Sequence, residues 1–466
     1  MNKAGSDPLP PNLGGSGDRG NFGSKLGIVL ATAGSAVGLG NVWRFPYMAG
    51  ENGGAAFILL YVGCILLLGL PGMVSEFIVG RHAQSNAARA YDKLSGGRPW
   101  KYVGYLGILT STIILGFYAV VAGWCLQYLA ASLTGEVMGD ADYVKQYFAA
   151  FSSDPLKPVL WGLAFILVTH LVIVRGVHSG IERASKLLMP ILLVLLLTLM
   201  VASCMLPGAV EGVKFLLMPD FGKLSGSVML EALGQAFFSL SLGTACLCTY
   251  ASYFSPDTHL LRSAGQIALL DTLIAICSGL IIFPAAASVG ISPDSGPSLI
   301  FITLPNVFQQ AFASMPAVGW VVSIMFYALL VFAALTSTIS MHEIGTAFFT
   351  EEWTLPRRRS AWVVTLAAGA LCVVCSLSVG ARPDWQLFGR SVMDFCDWLT
   401  ADLMLPTGAM LTCLFVGWYI PRRIAHDEFT NCGSHGRQLF PLYLFSVRFV
   451  CPICILLIFL HQLGVI

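Results

Sequence analysis

Apolar residues run through this chain in long unbroken stretches, each bounded by a short polar or charged segment. A helix crossing the ~30 Å hydrocarbon layer of a bilayer needs about 20 mostly apolar residues. By that rule about eleven spans can be marked: 24–48, 52–80, 100–132, 158–175, 181–206, 226–254, 258–288, 317–350, 360–378, 388–419 and 440–464. Residues 295–314, opening on Pro297-Ser298, are amphipathic and too short to cross; they predict a helical hairpin dipping back toward the protein from outside. Residues 1–23 are polar, rich in Gly, Pro and Ser, and lack the apolar core of a signal peptide, so they predict a flexible tail.

Two spans are interrupted where a membrane helix should be smooth. The first carries Gly34-Ser35-Ala36-Val37-Gly38-Leu39-Gly40-Asn41, and the sixth carries Ser239-Leu240-Ser241-Leu242-Gly243-Thr244. Glycine costs about 1 kcal/mol in a helix interior relative to alanine. Gly34 and Gly38, four apart, would also suit close helix packing, but packing has no use for Ser35 and Asn41. Breaks in spans 1 and 6, five apart, predict a five-plus-five inverted repeat with a binding site between the breaks at mid-membrane. The repeats would be 24–206 and 226–419, with 440–466 as a last helix. The expected fold is an all-α integral membrane protein of about eleven helices.

Composition agrees with lipid as the solvent. Of 466 residues, 56% are hydrophobic and 11% charged, with a mean hydropathy of +0.76; soluble domains carry roughly 25% charged residues. A net charge of +1 gives no electrostatic case for nucleic acid. Most of the 26 basic residues, among them Arg81, Arg89, Lys93, Arg98, Lys101, Arg175, Arg183, Arg262, Arg357, Arg422 and Arg437, fall on the side shared with the N-terminus. The positive-inside rule therefore places the N-terminus in the cytoplasm. Thirteen cysteines sit mostly in apolar runs without metal-ligand spacing and read as small hydrophobes. Ser241 and His170 form no catalytic arrangement, so an enzyme has little support.

The run from Gly34 to Tyr47 followed by Glu51-Asn52-Gly53-Gly54-Ala55 resembles the signature of the neurotransmitter:sodium symporter family. Further matches follow in order: Pro71-Gly72-Met73 to Glu76, Gly80-Arg81, Gly176 to Arg183, Gly234 to Gly243, Thr249 to Tyr253 and Ala333 to Ser337. The resemblance implies a fold similar to the bacterial leucine transporter, in an eleven-span version, lying in the inner cell membrane. It implies a sodium-coupled symporter of an α-amino acid, hydrophobic or aromatic, working by alternating access. A non-transporting amino acid sensor with the same fold is the alternative. The oligomeric state is left open.

Sodium is a hard cation that takes oxygen ligands, which unwound carbonyls and Asn, Asp, Ser or Thr side chains supply in a bilayer. By the resemblance, one ion takes Ala36, Asn41, Ser239, Asp271 and the substrate carboxylate; a second takes Gly34, Val37, Ala333, Thr336 and Ser337. Taken alone, Thr336 and Ser337 could simply bond back within their own helix. Gly38, Gly40 and Tyr118 would hold the substrate carboxylate, because glycine frees backbone N–H groups for an anion. Ser35, Ala36, Ile114, Phe238, Ser239, Ser241, Thr244, Ser337 and Met341 would line the rest of the pocket, with Thr244 adding room or polarity. Arg44 would close the outer path by pairing with Asp394 or Asp397, three apart on one helix face. Arg19, with Tyr253 in support, would latch the inner path to Glu351. Glu76 and Glu343 are intramembrane carboxylates without an evident partner. Asp271 stands where many relatives carry asparagine. It predicts transport without chloride and uptake of a proton on the return step; its bland reading is a helix-end residue facing water.

Overall fold

The structure, a computed structural model, describes residues 22–290 and 299–462. Among the described residues, eight helices are long and apolar enough to cross a membrane: Ala55–Ala83, Lys101–Thr134, Val177–Cys204, Leu260–Ser288, Pro316–Glu352, Arg357–Val379, Val392–Tyr419 and Phe440–His461. Two bent pairs, Leu26–Ala36 with Gly40–Glu51 and Ala141–Ser153 with Lys157–Ile173, raise the number to ten. The remaining expected span is the sixth. It is split into Gly226–Ser239 and Cys246–Ala251 by the non-helical residues 240–245, so neither half is long enough to cross. The break costs the sixth span its helical hydrogen bonds at mid-length, as the glycine and hydroxyl pattern predicts.

Other boundaries differ from expectation for local reasons. The tenth span begins at Val392 rather than 388, because Phe388 (φ 53°) and Gly389 (φ 78°) turn a small hairpin, Gln386–Leu387 against Arg390–Ser391. Ser391 then caps the helix by accepting from the Asp394 N–H. The bend before Lys157 makes Ala141–Ser153 a separate helix at 76° to the fourth span. Of the segment 295–314, Leu299–Thr303 and Leu304–Ala311 form one helical run, and Phe301 stacks among Trp124, Tyr128 and Phe148. Pro297 and Ser298 lie outside the described residues. A short helix, Arg422–Thr430, joins the tenth and eleventh spans, held to the second by Arg81, whose guanidinium bonds the Glu428 carboxylate at 2.5 Å and its carbonyl at 2.6 Å.

Lipid gives helices no hydrophobic reason to associate, so close backbone approach must supply the attraction. The third and fourth spans cross glycine on glycine: a Cβ on Gly123 would lie 2.4 Å from the Gly162 nitrogen. The second span meets the sixth at Gly80, whose Cβ would clash with the Cys248 carbonyl. Gly123→Leu is therefore expected to force these helices apart and cost about 1–3 kcal/mol of stability. The readout is the thermal unfolding midpoint of the detergent-purified protein, and an unchanged midpoint would contradict the close crossing.

Candidate functional site

The first break opens after Ala36, where Val37 turns extended (φ −73°, ψ 109°) and the two halves bend by 55°. Helical partners are lost here, so side chains take their place. The Gly38 N–H donates to Asn41 Oδ1 at 3.0 Å, and the Leu39 N–H donates to the Tyr118 hydroxyl at 3.0 Å. In the sixth span three residues take left-handed conformations, Ser241 (φ 53°), Gly243 (φ 83°) and Ala245 (φ 61°). Glycine is required at 243 twice over, since a Cβ there would also lie 2.2 Å from the Leu405 carbonyl.

Glu76, 2% exposed, reaches into this second break. Its carboxylate accepts the Gly243 N–H at 2.7 Å and the Cys248 N–H at 3.3 Å. It thus caps the N-terminal end of the second half-helix, where a negative charge is favourable. This is the partner that the sequence left unidentified.

The two breaks meet around Asp271, which is 0% exposed in mid-helix, so the reading of it as a water-facing helix end is excluded. Its carboxylate accepts from Asn41 Nδ2 at 2.7 Å, Ser239 Oγ at 2.7 Å and the Tyr61 hydroxyl at 3.2 Å. Asn41, Ser239 and Asp271 are brought together as expected. Tyr61 is an addition that only a three-dimensional contact reveals, since one tyrosine in an apolar span carries no distinguishing pattern. On the far side of the first break, Thr336 Oγ1 lies 3.2 Å from the Val37 carbonyl and 2.9 Å from that of Ala333, and Ser337 Oγ 3.2 Å from that of Val37. A Cβ on Gly34 would come within 3.3 Å of the Thr336 Cβ. Oxygens from both helices therefore converge there, and the reading of Thr336 and Ser337 as bonding only within their own helix does not hold.

Between these groups lies Gly38, where a Cβ would sit 2.5 Å from Ser337 Oγ and 3.0 Å from the Tyr118 hydroxyl. Gly40 faces Phe238, at 2.8 Å from an added Cβ. The polarity expected of this pocket is partly spent internally. Thr244 Oγ1 donates to the Ser241 carbonyl at 2.7 Å and accepts the Cys246 N–H at 3.1 Å, and Ser35 Oγ donates to the Thr32 carbonyl at 2.6 Å. Thr244 therefore serves the helix break rather than adding a free hydroxyl. Ser241 Oγ points at the Ser35 carbonyl, 3.4 Å away, and Ile114 and Met341 are half-buried on the third and eighth spans.

Arg44 lies one turn beyond the first break with its guanidinium 4.3 Å above the Phe238 ring. Among the described residues no carboxylate lies within ion-pair distance of it, so the expected pair with Asp394 or Asp397 is not formed. Asp394 is engaged by the Ser391 hydroxyl at 2.7 Å, while Asp397 and the unforeseen Asp402 both feel the Arg44 charge. The opposite face is knit together. Glu343, 0% exposed, accepts from Arg357 at 2.5 and 3.0 Å and from the Tyr253 hydroxyl at 2.8 Å. Phe22 packs edge-on against Tyr250 and Tyr253, and Glu182 binds the Gly23 N–H at 2.7 Å and Lys186 at 2.7 Å. Glu351 accepts from the Asn86 N–H and side chain, and Arg19 lies outside the described residues.

The comparisons with known proteins agree with one another. The model of the "Sodium:neurotransmitter symporter family" matches residues 19–147 and 152–466. The chain is 40% identical to the uncharacterised sodium-dependent transporter YhdH of Bacillus subtilis, over 95% of this chain and 97% of that protein. It is 28% identical to the sodium-dependent serotonin transporter of Drosophila melanogaster, over 80% of this chain and 68% of the relative. Among solved structures it resembles MhsT in complex with L-phenylalanine, with a TM-score of 0.87 and 40% identity, over 95% of this chain and all of that one. The family consists of sodium-coupled transporters rather than enzymes. Broken first and sixth spans, an oxygen-rich meeting point between them and a family match over nearly the whole length lead to one conclusion: the chain belongs to the sodium:neurotransmitter symporter family.

Proposed function

We propose that this protein carries a hydrophobic or aromatic α-amino acid into the cell with sodium, by alternating access, from a site between the two broken spans. The observation that carries the reading is the convergence of Asn41, Ser239 and Asp271 from three different spans, beside the non-helical backbone at Gly38. Asn41, Ser239, Asp271 and the Ala36 carbonyl would hold one sodium ion together with the substrate carboxylate. The Gly34, Val37 and Ala333 carbonyls with Thr336 and Ser337 would hold a second. Gly38, Gly40 and Tyr118 would take the carboxylate. Because Thr244 and Ser35 spend their hydroxyls on the backbone, the side-chain pocket is more apolar than its composition implies, and the phenylalanine bound to MhsT fits the same expectation. The face bearing the N-terminal segment is taken as cytoplasmic. Arg44 over Phe238 would form the outer gate with Asp397, and Tyr253, Glu351 and Arg19 would belong to the inner closure.

Sodium and substrate share a ligand in this arrangement, so each should raise the other's affinity by the same factor. Phenylalanine affinity in potassium should be at least about fivefold weaker than in sodium, the lower end of ordinary coupling. Asn41→Ala should weaken both ligands together. Equal affinity in the two salts, measured by scintillation proximity or calorimetry, would refute the coupling.

Arg44→Ala should slow sodium-driven uptake into proteoliposomes about tenfold, equivalent to ~1.4 kcal/mol in a rate-limiting step, while leaving equilibrium binding nearly intact. Normal uptake in that variant would remove Arg44 from the gate.

Transport should proceed without chloride. A sodium ion in a low-dielectric site needs a compensating negative charge, and Asp271 supplies one in a position that is 0% exposed. Uptake should persist when gluconate replaces chloride. In Asp271→Asn that charge is lost, and uptake should become chloride-stimulated, with an anion drawn toward Gln235, one helical turn before Ser239. Gln235 is 1% exposed, and its amide atoms have no partner among the described residues. A large loss of native activity in gluconate would overturn this reading.

A further inference from the structure

Outside the transport site, Arg448 stands within a spanning helix with no opposite charge to match it among the described residues. Arg448 lies in the eleventh span, where helical turns widen over Ser446–Val450, opposite a matching widened turn, Phe415–Tyr419, in the tenth. Its Nε donates to the Gly417 carbonyl at 2.6 Å, and its guanidinium sits 5.1 Å from the Trp418 ring. Trp418 Nε1 in turn donates to the Arg448 carbonyl at 3.2 Å. Glycine at 417 lets the two helices come this close, since a Cβ there would lie 3.0 Å from the Arg448 Cγ. The crevice therefore fixes the guanidinium by one edge. Among the described residues its two terminal nitrogens have no hydrogen-bond partner, and no carboxylate lies within ion-pair distance.

A guanidinium on a lipid-facing helix surface costs about 2.5–3.5 kcal/mol at mid-span, and less toward the headgroups, where an anion can reach it. Arg448 is opposite Gly417, two residues before the tenth span ends at Tyr419, so it lies at the boundary between acyl chains and headgroups. Two more cations flank the same corner on aromatic rings, Arg98 over Tyr419 at 5.8 Å and Arg422 over Phe440 at 5.9 Å. Tryptophan and tyrosine belong at this depth. Along the same helix, Phe445 on the near side of Arg448 and Phe449, Ile453 and Leu456 farther into the bilayer form an exposed apolar ridge, a track for acyl chains.

We propose that the crevice formed by Gly417, Trp418 and Arg448 is a binding site for an anionic phospholipid. The headgroup phosphate accepts from the free guanidinium nitrogens, with Arg98 and Arg422 adding long-range attraction. The site lies on the face that carries the N-terminal segment, where most basic residues cluster, and that leaflet's anionic lipids are the natural source.

Two measurements test the proposal on the intact protein. In native mass spectrometry, phosphatidylglycerol should be retained about fivefold better than phosphatidylcholine, the factor expected of one basic residue near an anionic surface. Arg448→Gln should bring the two lipids level, Arg448→Lys should keep most of the preference, and soluble glycerol phosphate should not compete. Equal retention in the native protein, an unchanged preference in Arg448→Gln, or displacement by glycerol phosphate would each overturn the site. A second measurement needs no variant. Phosphatidylglycerol carrying a photoactivatable group near its headgroup should label the segments 415–419 and 446–450 in nanodiscs, and labelling confined to other segments would refute the assignment.

Discussion

A backbone N–H that loses its helical partner inside a bilayer has no water to turn to, and each unsatisfied group costs several kcal/mol. The central machinery of this protein follows from that constraint. Opening the first and sixth spans creates the only kind of site in which backbone groups can face a ligand at mid-membrane, and it also creates orphans that must be satisfied. Tyr118 and Asn41 serve the first break, and Glu76 serves the second. The breaks are therefore built structures, each held open by a side chain from elsewhere in the chain. The π-type widening at Gly40–Arg44 continues the same logic, since it lets the outer half of the first span resume as a helix after the bend.

From this follows the electrostatic design of the site. Glu76 and Asp271 are both fully enclosed, yet they play opposite parts. Glu76 is committed to two backbone N–H groups and stabilises the second half-helix through its N-terminal end. Asp271 is instead surrounded by side chains that can exchange partners, since Asn41, Ser239 and Tyr61 each carry an oxygen able to turn toward a cation. A carboxylate held by rotatable amide and hydroxyl groups suits a site that must be filled and emptied in each cycle. One held by a fixed backbone does not. The two acids thus separate the rigid scaffold from the proposed exchangeable ligand set.

How much of this was legible in the sequence depended on range. Apolar length gave the spans, and clustered glycines with Ser35, Asn41 and Ser241 marked both breaks, because those signals are local. The hairpin at Gln386–Arg390 and the separate helix at Ala141–Ser153 were hidden, because both depend on left-handed or sharply bent backbone within a hydropathy window that averages them away. Asn41, Ser239 and Asp271 were named only through family resemblance, as they come from three spans more than 30 residues apart. Tyr61 and Asp402 were missed, since nothing in their own neighbourhoods separates them from packed or surface residues, and Glu182 was seen only as part of the Gly176 to Arg183 match, without a role. Thr244 was read from its chemistry alone, and its hydroxyl turned out to be spent on the helix that it caps.

The two faces of the molecule are secured in different ways, and that difference bears on the transport cycle. On the N-terminal face, Glu343, Arg357 and Tyr253 form a buried ionic cluster, and Glu182 gathers Gly23, Ser24, Lys186 and His178 around the start of the first span. Separating a buried pair strands both charges, at a cost of about 3–5 kcal/mol. On the opposite face, Arg44 is held by the face of Phe238 alone among the described residues, an interaction of roughly 0.5–2 kcal/mol. Alternating access requires the two open forms to differ by only a few kcal/mol, so opening the N-terminal face demands compensation elsewhere. Closing Arg44 onto Asp397 would offset part of it, and a ligand that ties Asn41 to Ser239 and Asp271 would supply more by drawing the first and sixth spans together. Because Glu182 accepts from the Gly23 N–H and the Ser24 hydroxyl just before the first span begins, motion of that half-span away from the fifth would break these two bonds, while those to His178 and Lys186, one turn away on its own segment, would persist. The cost of opening is thereby placed on the element whose break forms the site.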